Sequence, residues 1–155
     1  MNLYLDSSAF VKLFLTEEFS EEVREATVQA TRLCTSRLAW PETVSAFARM
    51  CREDRITQYE FFRLMDCLGS RWQEINAVVE VDANLLSDTP LLMLAHPLRA
   101  HDAIHLASAK AFAKIVDDDL RFAAYDEALA RAAHASGFDV LSDPRWKLFG
   151  GTHSV

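Results

Sequence analysis

Glycine and proline are scarce in this 155-residue chain, with four of each. That scarcity, in a sequence half apolar and one quarter charged, excludes collagen-like, low-complexity and disordered classes. Cysteine is rarer still. Cys34, Cys51 and Cys67 are odd in number and have no short paired spacing, which excludes a disulfide scaffold and a zinc site and leaves buried, reduced thiols as the expectation. No apolar run approaches the roughly 20 residues that span a bilayer, because Leu91-Leu92-Met93-Leu94-Ala95 is closed by His96 and Pro97. Met1-Asn2-Leu3-Tyr4-Leu5 lacks a basic stretch ahead of a long apolar run, so the expectation is a cytoplasmic protein with no signal peptide and no membrane contact. Positive charge is also short. A formal net charge of −7 argues against a basic nucleic-acid coat protein. It does not argue against a nuclease, since discounting four metal-holding carboxylates leaves −3. No Gly-x-Ser-x-Gly turn accompanies the serines, and no cysteine has a motif partner, which excludes the common serine and cysteine hydrolases.

What the chain does contain is an alternation of short apolar strands and amphipathic helices. Asn2 to Asp6, Leu33 to Ser36, Ala77 to Val81, Leu120 to Tyr125 and Asp139 to Leu141 read as strands. Between them the spacing predicts helices over Ala9–Leu15, with Ser7-Ser8 as the cap, and from Ser20 to about Thr31. Further helices are expected after Pro41, from the cap Thr57 onward, over Ala83–Ala95 with a break at Pro90, from Pro97 through Ala111, and over Glu127–Ser136 closed by Gly137. Such alternation implies parallel βαβ units in a three-layer α/β/α sandwich with a short, mainly parallel central sheet. Residues 1–142 read as one domain and 143–155 as a C-terminal tail.

Four acids stand where these elements begin or end: Asp6 after the first strand, Glu42 after Pro41, Asp102 in His101-Asp102-Ala103-Ile104-His105, and Asp126 in Ala124-Tyr125-Asp126-Glu127. In parallel sheets ligands collect beyond the carboxyl ends of the strands, so these positions converge on one crevice. Packed carboxylates disfavour their own ionised forms, and a divalent cation reverses that. Mg²⁺, as one ion or as two about 3.5–4 Å apart, suits an all-oxygen donor set. Asp6 and Asp102 are expected as primary ligands, with Glu42 and Asp126 binding directly or through water. Without metal the four should repel one another, so that Asp102→Asn is expected to stabilise the metal-free fold. Ser8 can bond a ligand or simply cap the first helix. His105, one turn after Asp102, can touch a metal water, although such a histidine more commonly packs and pairs with a neighbour. Lys12 and Arg99 are placed for phosphate contacts.

Leu5-Asp6-Ser7-Ser8-Ala9 with Lys12, Pro41-Glu42, Arg99 followed by Asp102-Ala103-Ile104-His105-Leu106-Ala107, and Asp126 with Leu129, Ala132, Ala133 and Gly137 together resemble the PIN-domain family. The subgroup they are most similar to is the VapC-like toxins of bacterial toxin–antitoxin pairs. The resemblance implies a Mg²⁺- or Mn²⁺-dependent ribonuclease in which Asp6, Glu42, Asp102 and Asp126 serve as catalytic, metal-binding acids, with metal-activated water leaving 5′-phosphate and 3′-hydroxyl ends. It also implies an RNA substrate, a cognate antitoxin and a homodimer, for which part of the apolar surface formed by Phe47, Phe61, Phe62 and Leu64 is a candidate. One departure is Ala124, where many family members carry Thr or Ser two positions before the last Asp. It favours the alternative of a weak or inactive PIN-like interaction domain that binds RNA or a protein partner.

Overall fold

Strand β1 (Asn2–Leu5) is buried along its whole length, as a strand covered on both faces must be. Successive side chains point to opposite faces. Leu3 and Leu5 therefore enter one apolar cluster and Tyr4 the other. These two clusters are the two layers of core on either side of the sheet in the computed structural model, which describes residues 1–116 and 118–147.

The sheet has five parallel strands in the order β3-β2-β1-β4-β5, with β2 at Arg32–Ser36, β3 at Ala77–Val79, β4 at Leu120–Ala123 and β5 at Asp139–Leu141. The chain leaves β1 toward β2 on one side and later returns to β4 on the other, so β1 is the point where strand order reverses. Helices α1 (Ser7–Phe10), α2 (Ser20–Gln29), α3 (Ala39–Arg52) and α4 (Gln58–Gln73) pack on the Leu3/Leu5 face around Phe10, Val23, Phe47 and Leu68. Helices α5 (Ala83–Ala95), α6 (Ala100–Ala113) and α7 (Glu127–Ala135) cover the Tyr4 face with Leu106, Phe112, Leu129 and Ala133. This is the three-layer α/β/α sandwich the alternation implies.

Local differences from the sequence reading have physical causes. Asp6, not Ser7 or Ser8, caps α1, its carboxylate accepting the Ala9 N–H at 2.7 Å. The expected helix over Ala9–Leu15 is one α-turn followed by a 3₁₀ turn, Val11–Leu13. Helix α5 runs through Pro90 without breaking. Proline cannot donate to the carbonyl four residues back, and the Thr89 hydroxyl donates to that Leu86 carbonyl instead, at 2.8 Å. Of the cysteines only Cys34 is buried; Cys51 is half-buried and Cys67 exposed. The first residues of the expected tail pack on the domain: Pro144–Lys147 is a 3₁₀ turn, Trp146 is buried, and its carbonyl accepts from Arg131 of α7 at 2.9 Å. Residues 148–155 of that tail lie outside the described residues.

Candidate active site

Asp6 follows directly on β1 and is 2 % exposed. Its backbone N–H donates to the Ala123 carbonyl at the end of β4, so the carboxylate emerges between two central strands. The Ser8 hydroxyl donates to both carboxylate oxygens, at 2.7 and 2.8 Å, and accepts the Tyr125 N–H at 2.7 Å. Asp6 is thus the cap, and Ser8 ties Asp6 to the loop that carries Asp126. Burial raises the Asp6 pKa to about 6, against the lowering effects of His105, the Ala9 N–H and Ser8, while nearby Glu42 pushes it further up. A carboxyl so placed is short of positive charge.

Asp102 sits in the first turn of α6, where a carboxylate is favoured by the helix dipole, and its side chain is 5 % exposed. Asp126 caps α7 by accepting the Leu129 N–H at 3.0 Å. Between them lies one guanidinium. Arg99 Nε donates to Asp102 at 2.8 Å, and its Nη2 donates to Asp126 at 2.9 Å. Hydrogen bonding to Asp102, with the charges of Asp102, Asp126 and Glu42, raises the Arg99 pKa. His101 Nε2 stands 3.4 Å from Asp102.

Glu42 projects from the first turn of α3 and accepts a hydrogen bond from His105 Nε2 at 2.8 Å. A carboxylate can only accept, so that nitrogen carries the hydrogen. The other ring nitrogen, Nδ1, meets the Tyr4 hydroxyl at 2.9 Å. His105 is 1 % exposed and Tyr4 fully buried. Burial alone would raise the Glu42 pKa, but the hydrogen bond and attraction of His105, helped by Ser7 and His101, hold it below the ordinary value.

Four elements therefore deliver Asp6, Glu42, Asp102 and Asp126 to the carboxyl edge of the sheet, where Asp102 and Asp126 share Arg99 and the charge of Glu42 bears on both Asp6 and Arg99. One sequence expectation changes. Lys12 is 8 % exposed, its ammonium donating to the Glu18 carbonyl at 2.9 Å, pairing with Glu17 and covering the Tyr125 ring, so it is not presented to a phosphate. Asp102 has Arg99 as an ion-pair partner, whereas Asp6 forms no ion pair among the described residues. Sequence reasoning also missed Tyr4 and the part played by Arg99. The available signals were a single hydroxyl-bearing side chain in an apolar strand, two residues before Asp6, and a cation three residues before Asp102.

Among the described residues, no group of three or more His, Cys, Asp or Glu side chains could hold a metal ion as it stands. The donor chemistry nonetheless fits a hard divalent cation: all four groups offer oxygen, the Asp6 carboxyl is held above its ordinary pKa by burial, and two of the acids already bind a cation, the Arg99 guanidinium.

Residues 3–135 match the family described as PIN domain. The chain belongs to that family. Ribonuclease VapC45 of Mycobacterium tuberculosis is 37% identical over 138 residues, which cover 87% of this chain and 91% of the relative. Among solved structures, M. tuberculosis VapC20, described as a sarcin-ricin loop cleaving toxin, superposes with a TM-score of 0.61 at 17% identity, covering 88% of this chain and 95% of that one. A toxin–antitoxin complex from Klebsiella pneumoniae gives a TM-score of 0.60 at 16% identity, covering 90% and 95%. At those identities the two structures speak for the PIN fold alone.

Proposed function

We propose that this PIN domain is an endoribonuclease, the toxin of a toxin–antitoxin pair, whose Asp6, Glu42, Asp102 and Asp126 hold Mg²⁺ or Mn²⁺ against the RNA backbone. The observation that carries the reading is that four acids from separate elements stand at the carboxyl edge of the sheet, with Asp102 and Asp126 sharing the Arg99 guanidinium and the charge of Glu42 bearing on both Asp6 and Arg99. Similarity to Ribonuclease VapC45 supports RNA as the substrate. Bound there, the cation would lower the pKa of water and neutralise charge at the phosphate. The chain's own residues do the rest. Ser8 and the Ala9 N–H fix the Asp6 carboxylate, His105 fixes Glu42, and Arg99, exposed over most of its side chain, is free to turn to a phosphate oxygen once a cation takes over Asp102 and Asp126.

The test is cleavage of a structured RNA by purified protein in Mn²⁺ or Mg²⁺ and in chelator. Loss of an outer-shell partner alone costs about 10–100-fold, so Asp6→Asn and Asp102→Asn should each lower the rate by at least on the order of a hundredfold with unchanged circular dichroism. Undiminished cleavage by both variants would place the activity elsewhere. A second reading, an inactive domain acting through a partner, is favoured by the arginine-filled acid cluster and by Ala124; metal-independent RNA binding without cleavage would decide for it.

The antitoxin is part of the same proposal, a chain of this fold having been solved in a toxin–antitoxin complex. Phe47 is fully buried and serves the core, whereas Phe62 and Tyr59 are 64% and 71% exposed on α4. Beside them Leu15, Ile56, Tyr59, Leu64 and Cys67 line a groove of about 680 Å³, suited to an amphipathic antitoxin segment. For the homodimer, α5 presents Leu86, Leu91, Met93 and Leu94 to solvent, an apolar patch of the kind that marks association. Light scattering and co-expression with the neighbouring gene product test the two surfaces. No helix among the described residues is long and apolar enough to cross a membrane, and an RNA target makes the cytoplasm the proposed site of action.

A further inference from the structure

The geometry points to Tyr4 and His105 as positioning residues that aim the Glu42 carboxylate into the acid cluster, an inference that rests on the metal-binding reading above. The Glu42, His105 and Tyr4 side chains form one line: Glu42 Oε2 to His105 Nε2 at 2.8 Å, and His105 Nδ1 to the Tyr4 hydroxyl at 2.9 Å.

The line joins three of the elements that deliver acids. Tyr4 stands on β1, two residues before Asp6; His105 stands on α6, three residues after Asp102; Glu42 stands on α3. A glutamate left to itself samples many rotamers and loses that freedom on being fixed. Here the fixing donor is one turn from Asp102 on the same helix, so the Glu42 carboxylate is held relative to Asp102. The hydrogen bond uses Oε2 and leaves Oε1 for other partners.

Tyr4 is needed because His105 Nδ1 is buried and the Tyr4 hydroxyl, able to donate or to accept, is its partner. Without that hydroxyl Nδ1 is a buried polar atom with no partner, which costs free energy, and the ring loses one of the two hydrogen bonds that set its orientation toward Glu42. This is the logic by which outer-shell partners orient metal-binding side chains generally. Tyr4 is itself fixed on its ring face by stacking on Phe122, with centroids 5.0 Å apart. Packing and hydrogen bonding at Tyr4 can therefore be separated by mutation.

The experiment is calorimetric titration of Mn²⁺ into wild type, Tyr4→Phe, His105→Ala, His105→Gln and the packing control Phe122→Leu, with melting temperatures recorded in chelator. Tyr4→Phe and His105→Ala should bind Mn²⁺ about tenfold or more weakly. His105→Gln, whose amide offers a donor near the Nε2 position, should recover most of the affinity. Phe122→Leu should lower the melting temperature and leave Mn²⁺ affinity as in wild type. Because His105→Ala opens a buried void, Tyr4→Phe, which removes one hydroxyl, is the deciding variant. Wild-type affinity in Tyr4→Phe, or equal losses in His105→Gln and His105→Ala, would overturn the inference alone. A wild-type protein that binds no Mn²⁺ would overturn the metal reading and this inference with it.

Discussion

Arg99 is the residue on which the state of the site turns. Its guanidinium satisfies Asp102 and Asp126 at once, and a divalent cation competing for the same oxygens must displace it. The cost of that displacement is subtracted from the metal's apparent affinity. Arg99→Gln should therefore bind Mn²⁺ more tightly than wild type in the absence of RNA, by a few-fold to about tenfold, since exposed or half-exposed ion pairs contribute about 1 kcal/mol. In chelator the same variant should melt at a lower temperature, as the acids regain their mutual repulsion. If the freed arginine then contacts phosphate, KM for RNA should rise in the variant even as metal affinity improves. Weaker Mn²⁺ binding by Arg99→Gln, measured by calorimetry, would show that the arginine assists the metal instead of competing with it.

At the scale of elements, most of the fold could be read from periodicity and capping. Thr57 caps α4 as expected, with Glu60 returning a bond to complete a reciprocal cap, and Gly137 takes the left-handed φ of 92° after α7, where the helix was expected to close. The errors arose where a short-range rule met a tertiary or side-chain compensation. Pro90 was expected to break α5, and Thr89 repairs the carbonyl that proline leaves free. Thr89→Val removes that donor at a buried position and should destabilise the protein by about 1–3 kcal/mol, with loss of helical circular dichroism confined to about a turn; an unchanged denaturation midpoint would mean the Leu86 carbonyl is satisfied otherwise. The four acids were legible because helix starts and strand ends are visible in sequence. The bonds of Glu42 to His105, and of His105 to Tyr4 behind it, were not, since His105 and Glu42 lie 63 residues apart and Tyr4 and His105 101 apart, and only the packing of α6 against the sheet brings them into reach.

For the whole molecule, the buried Asp6 couples stability to pH and to metal in opposite directions. Its folded pKa is raised to about 6, chiefly by burial, whereas in the unfolded chain it titrates near the ordinary value of about 3.9. Below that lower value both states are protonated and nothing is lost. As pH rises from about 4 to about 6 the unfolded chain releases the proton first, so the unfolded state binds fewer protons and stability falls. Above about 6 the penalty is complete and constant, on the order of 3 kcal/mol at 1.36 kcal/mol for each pH unit. Asp6→Asn removes the penalty while retaining a side-chain oxygen that caps α1 nearly as well. In chelator at pH 7.5 the variant should accordingly melt above wild type, by several degrees at roughly 2–4 °C per kcal/mol for a protein of this size, and the two should converge at pH 4. Mn²⁺ reverses the order. A ligand at one hundred times its dissociation constant stabilises the folded state by about 2.7 kcal/mol, available to wild type and largely lost in the variant. Thermal melts of both proteins across pH 4–7.5, in chelator and in Mn²⁺, check each half separately: a pH-independent difference in chelator would show that Asp6 is not the strained group, and equal Mn²⁺ shifts would show that it holds no metal.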